Sequence, residues 1–127
     1  MPTTSWSVAD LETIGSADEL QVSSLRTDGT LRPFVTIWAV RAGDDLYVRS
    51  AYGGGGWFHR AKTTGLGRVR AGGIERDVTF VAPATDAGEH DLIDAAYHAK
   101  YDRYGANVVG TVVGPALRGF TYRLDPR

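Results

Sequence analysis

Two segments rich in β-branched and aromatic residues, Phe34-Val35-Thr36-Ile37-Trp38-Ala39-Val40 and Leu46-Tyr47-Val48-Arg49-Ser50, flank Gly43-Asp44-Asp45. Such residues favour a pleated, half-buried sheet surface, and a connection this short allows only an antiparallel return. Whatever the rest of the chain does, it must build on this hairpin. The second arm then runs straight into Ala51-Tyr52-Gly53-Gly54-Gly55-Gly56, followed at once by Trp57-Phe58-His59-Arg60. Glycine lacks the Cβ that keeps backbone away from a ligand, and it adopts φ > 0 freely.

The remaining punctuation extends the antiparallel pattern. Ser7 to Gly15 reads as a short helix, with Ser7 as N-cap and Gly15 as its end. Leu20–Leu25 is strand-like, and Asp28-Gly29 is a strong hairpin turn. Trp57–Thr63 reads as one or two helical turns closed by Thr64-Gly65. Arg68–Ala71, Gly72-Gly73 and Ile74–Val81 form another hairpin signal, which Pro83 stops. Asp86 to Tyr104 is the longest helical pattern, with Leu92, Ala96, Tyr97, Lys100, Tyr101 and Tyr104 recurring at spacings of three and four and Gly105 as C-cap. Val108–Val113 and Ala116–Leu124 read as the last strands. The expected architecture is mainly β with α: a six-stranded, partly closed antiparallel barrel with peripheral helices, over one domain spanning residues 1–127.

Composition narrows the function classes. A formal net charge of −1 argues against broad nucleic-acid binding, which needs a strongly basic surface. The absence of cysteine excludes disulfides, thiolate metal sites and cysteine nucleophiles. The opening residues have neither a basic nor an apolar leader-like region, and no apolar run approaches a membrane span. A soluble cytoplasmic protein with no membrane partner is the expectation. His59, His90 and His98 are dispersed without ligand spacing, so no metal site is expected. Glu89, Asp91 and Asp94 cluster early in a helix, where acids suit the dipole. No Gly-x-Ser-x-Gly context surrounds Ser50, and neither a P-loop nor a Rossmann fingerprint is present.

The glycine run keeps two readings open. A strand, a glycine turn, a helix start at Trp57, and the bases Arg49, His59, Arg60 and Lys62 together suggest an anion site, phosphate above all. The alternative is a flexible loop beside a charged surface. Trp57 and Phe58 would wall a planar ligand or form the core side of the helix. Tyr97, Tyr101 and Tyr104 form a stripe that suits core packing, with hydroxyls able to reach a pocket rim.

The succession Arg26-Thr27-Asp28-Gly29-Thr30-Leu31-Arg32-Pro33, the strand ending in Trp38, Gly43-Asp44-Asp45-Leu46-Tyr47-Val48, Tyr52-Gly53-Gly54 and Trp57-Phe58-His59 resembles the FMN-binding split-barrel superfamily. Pyridoxamine-phosphate-oxidase-like proteins and deazaflavin-dependent nitroreductases belong to it. The chain is also similar to an uncharacterised bacterial family of about this length with the same barrel. The resemblance covers residues 19–82. It departs in the short, Pro-free spacer before Trp57 and in Thr63-Thr64-Gly65, where relatives carry Asn-Pro. It implies a homodimer that binds FMN or a deazaflavin coenzyme and transfers hydride to or from a small organic molecule. It also implies cofactor contacts from Arg26, Arg32, Arg49, Ser50, Gly53, Gly54, Trp57, Phe58, His59, Arg60 and Lys62; from the helix stripe itself, Tyr97 and Tyr101 are expected on the substrate side. No catalytic side chain is required, because the ring carries the redox chemistry. A non-catalytic ligand-binding or assembly module on the same barrel is the alternative. An acid–base enzyme using Tyr97, Tyr101 or His98 is a third reading.

Overall fold

The structure is a computed structural model that describes residues 6–50, 56–83 and 87–127. In chain order its elements are α1 (Val8–Ser16), β1 (Leu20–Ser24), β2 (Val35–Ile37), β3 (Ala39–Ala42), β4 (Asp45–Arg49), α2 (Gly56–Ala61), β5 (Leu66–Ala71), β6 (Ile74–Val81), α3 (Ala87–Tyr101), α4 (Ala106–Val109) and β7 (Thr121–Pro126). Two 3-10 turns, Asp102–Tyr104 and Pro115–Phe120, complete the set.

All pairings are antiparallel, in the order β2-β1-β5-β6-β7-β4-β3. Seven strands are present where six were expected. The segment Phe34–Val40 does not run as one strand: it breaks at Trp38, its first half pairing with β1 and its second with β4. The two edge strands of the sheet are therefore consecutive in the chain. One residue joins the ends, and the sheet curls nearly shut around it.

The glycine turns behave as their sequence demands. Gly72 and Gly73 both have positive φ (57° and 84°), as a two-residue turn matching the sheet's twist requires. In α1 the Ser7 side chain accepts from the Asp10 N–H (3.1 Å) as N-cap. The helix, however, runs past Gly15 to Ser16. Gly15 instead allows close packing, since a Cβ there would lie 3.1 Å from the Arg41 Cβ.

Two regions read as strand are not. Val108–Val113 holds α4 and a turn, because Val109 and Val112, three apart, bury against α3 in helical phase. Residues 115–120 form a 3-10 turn that begins at Pro115, and β7 starts only at Thr121. The α3 stripe is also rotated. Ile93, Tyr97 and Tyr101 are buried, whereas Leu92 is 66% exposed and Tyr104 45%.

Burial forms two clusters. Leu20, Val22, Leu46, Val48, Val69, Val78 and Leu124 fill the barrel with Leu11 and Ile14 of α1. Val40 and Tyr47 point the other way and meet Ile93, Tyr97 and Tyr101 of α3. That sandwiching explains why Leu46, Tyr47, Val48 and Arg49 are all buried although successive side chains face opposite sides. Among the described residues no helix is long and apolar enough to cross a membrane.

Candidate functional site

The break at Trp38 opens a cavity of about 550 Å³. Thr36, Ile37 and Trp38 supply one wall, Arg49 and Ser50 at the end of β4 a second, and Trp57 of α2 a third. Asn107, Val108, Thr111 and Val112 close it from the α4 segment. The volume lies within the range of about 300–1,000 Å³ usual for small-molecule sites, and a mostly apolar lining with a few polar groups is likewise usual.

Two of these walls follow from local rules. Ser50 N–H donates to the Phe120 carbonyl (3.0 Å), extending the β4–β7 ladder to the point where the chain leaves for the glycine run. Gly105, with φ of 104°, ends the helical stretch after Tyr104 and lets α4 turn back toward the cavity. Asn107 and Thr111, four apart, then reach the same space.

Arg49 is the centre of the site's electrostatics. It is 1% exposed. Its Nε donates to Thr121 Oγ1 (2.9 Å) and its Nη1 to the Val112 carbonyl (3.0 Å). Nη1 also forms an ion pair with Asp94, and Nη2 lies 3.1 Å from His90 Nδ1. The guanidinium carbon sits 5.7 Å from the Tyr97 ring centroid. Arg49 thus lines the cavity while bracing α3, β7 and the α4 segment onto β4. Nearby, Tyr47 donates to Glu89 (2.6 Å), and burial, reinforced by that carboxylate, pushes the Tyr47 phenol up from its usual value.

The expected cofactor residues divide among several places. Arg49, Ser50 and Trp57 come together in this cavity. Phe58 and Lys62 line a different one, Phe58 being 2% exposed and stacked on Tyr122 at 4.4 Å. His59 and Arg60 lie on the exposed side of α2. Arg26 donates within its own turn, to Thr30 Oγ1 and the Leu31 carbonyl (both 3.3 Å). Arg32 belongs to the same hairpin and lines neither cavity. Gly53 and Gly54 lie outside the described residues.

The two tyrosines expected at the substrate are instead fully buried. Tyr101 OH donates to the Asp18 carbonyl (2.8 Å) and accepts from the Ala39 N–H (3.3 Å). Its ring stacks on Trp38 at 4.0 Å and 4°. Tyr97 OH points to the Trp38 carbonyl at 3.5 Å. Burial pushes both phenols above their usual range.

Sequence reasoning missed His90, Asp94, Asn107 and Thr111. The first pair had a signal: His90, Asp94, Tyr97 and Tyr101 recur at spacings of four, three and four on one helix face. Asn107 and Thr111 had none, since their segment reads as strand.

The model of the family described as "Uncharacterized protein conserved in bacteria (DUF2255)" matches residues 10–124. No curated protein matches the sequence. Among solved structures, an FMN-binding protein from Syntrophomonas wolfei is similar at TM-score 0.58 and 14% identity, over 92% of this chain and 82% of that one. A FAD-binding protein from Mesorhizobium loti is similar at TM-score 0.56 and 14% identity, over 96% and 89%. HutZ, the heme storage protein from Vibrio cholerae, is similar at TM-score 0.60 and 12% identity, over 94% and 88%. At these identities the likeness is one of fold, the split barrel that the sequence resembled.

Proposed function

From a chain that belongs to the DUF2255 family, we propose a flavin-type cofactor-binding protein, with FMN or a deazaflavin coenzyme in the cavity at the Trp38 bend. The observation that carries the reading is that cavity: two tryptophans, a buried arginine and a serine around a largely apolar space, at the end of a strand that runs into four glycines. The residues present suit such a ligand. Trp38 and Trp57 offer flat apolar surface to a ring system, and Thr36, Asn107 and Thr111 offer polar groups to its edge. Ser50 and the glycines after it would take the anionic tail, with Arg49 behind them.

A bound flavin or deazaflavin supplies hydride transfer, here to or from a small organic molecule. The side chains bind and orient it, and Ile37, Val108 and Val112 keep water from the ring. Val108 is 46% exposed at the rim, which suits a homodimer whose seam covers the cavity. The setting we propose is the cytoplasm.

A second reading, a non-catalytic ligand-binding module, is favoured by one observation: the Arg49 charge is already matched by Asp94. Titration of the protein with FMN and with deazaflavin coenzyme, followed by tryptophan fluorescence, tests the first. Saturable quenching that Trp57→Leu diminishes is the expected result, and no binding of either cofactor refutes the proposal. Binding without hydride transfer to any nitroaromatic or quinone acceptor selects the second reading. A monomer mass by light scattering in the presence of cofactor refutes the shared seam.

A further inference from the structure

We infer that a second cavity, bounded by another side of α2, is a binding site for a small organic carboxylate with a ring-bearing apolar body. The cavity holds about 410 Å³ and, among the described residues, shares no lining with the first. Its floor is aromatic: Tyr122 lies between Phe58 at 4.4 Å and Phe80 at 5.5 Å. The Tyr122 hydroxyl is turned to the Phe58 carbonyl (3.4 Å), so the rings present apolar faces.

Two cations face this floor, and among the described residues no acid lines it. The Lys62 ammonium sits 5.1 Å from the Phe58 centroid, and Lys62 enters no ion pair among the described residues. Arg118 reaches in from the 3-10 turn. Its side chain is 31% exposed, and among the described residues the one carboxylate it approaches is Asp91, 4.0 Å from Nη2 and itself 72% exposed. A carboxylate accepting from the accessible outer N–H groups of Arg118 and approached by Lys62 pairs both cations, and rings on the aromatic floor supply the apolar contact. Acetate has the charge without the body, and a neutral amide has the body without the charge, so both should bind poorly.

None of the described residues lining this cavity lines the proposed cofactor site. The test is an amide-shift NMR titration of the full chain, without added flavin. The probes are benzoate, 3-phenylpropionate and indole-3-acetate, with acetate and 3-phenylpropionamide as controls. At least one aromatic acid should shift the amides of Phe58, Lys62, Phe80, Arg118 and Tyr122 and bind at least about tenfold more tightly than either control. Lys62→Gln and Arg118→Gln should each weaken it by about fivefold or more, with unchanged melting temperature. Silence of all three acids at millimolar concentration overturns the inference. So do shifts centred on Trp57 and Val112, or affinity indifferent to both variants.

Discussion

Replacing Arg49 with methionine, which keeps most of the stem and removes the guanidinium, should unfasten three elements at once. The lost partners are Thr121 Oγ1, the Val112 carbonyl, Asp94 and His90 Nδ1. Removing one member of a buried ion pair costs about 3–5 kcal/mol, because the other member is left uncompensated. Two features place Arg49→Met at the low end. The Asp94 side chain is 24% exposed, so water takes over part of its solvation. Thr121 Oγ1 keeps its own bond to the Leu117 carbonyl (2.8 Å). The Val112 carbonyl has no such relief, since Val112 is 3% exposed. A loss of about 3 kcal/mol follows, equivalent to roughly 10–15 °C in Tm for a domain of this size. Asp94→Leu should cost at least as much, because the group it strands is the deeper one, with a side chain 0% exposed. Urea unfolding followed by circular dichroism measures both, and the double variant closes the cycle. A cost below about 1 kcal/mol for Arg49→Met, or an Asp94→Leu variant clearly milder than it, would refute the brace.

Gly67→Ala should be among the most damaging small changes in the chain. Its Cβ would lie 2.2 Å from the Ser23 carbonyl oxygen and 2.6 Å from the Phe80 ring, so β1 and β5 must part; a loss of about 3 kcal/mol or more in urea unfolding is expected. Burial pushes the Lys100 amine down to about 8 from 10.5. The folded state therefore releases its proton first, and the stability this group contributes is complete above 10.5 and lost as pH falls through about 8. Between pH 8 and 9.5 the stability of the natural chain should rise relative to Lys100→Met, and parallel curves would contradict that. Tyr101→Phe keeps the stack on Trp38 but strips the Asp18 carbonyl and the Ala39 N–H of their partner. It should cost about 1–3 kcal/mol by thermal unfolding, and no loss would show that water replaces the hydroxyl.

Much of the barrel was legible because its turns are chemically specific. Gly72-Gly73 and Asp28-Gly29 supply the positive φ that tight turns need and that other residues avoid, and both stand at turns between antiparallel segments. The break at Trp38 was not legible, since the residues on either side of it have the same β preference and only the distant partners β1 and β4 distinguish them. The α4 segment went wrong for a related reason. Val108-Val109 and Val112-Val113 have strand propensity, but flanking Gly105 and Gly114 free the segment, and burial against α3 selects helical phase. At the site, Arg49 was legible beside the glycines. Its partners His90 and Asp94 lie 41 and 45 residues away, and no local rule could pair them with it.

The break at Trp38 also explains why the tyrosines of α3 are where they are. A sheet whose two edges meet through one residue cannot continue its ladder across that residue, so backbone groups there need other partners. Side chains of α3 provide them. Tyr101 OH accepts from the Ala39 N–H, Lys100 Nζ donates to the Ala39 carbonyl (2.6 Å), and Tyr97 OH faces the Trp38 carbonyl. Tyr97, Lys100 and Tyr101 thus direct their polar tips to the backbone at the bend. On the side of the bend away from Tyr101, Trp38 lines the cavity with Thr36 and Ile37. A regular strand through residue 38 would carry the ladder straight on, whereas the bend separates β2 from β3 and leaves room between them. The space offered to a ligand and the closure of the sheet therefore have one cause, and α3 is the element that holds both in place.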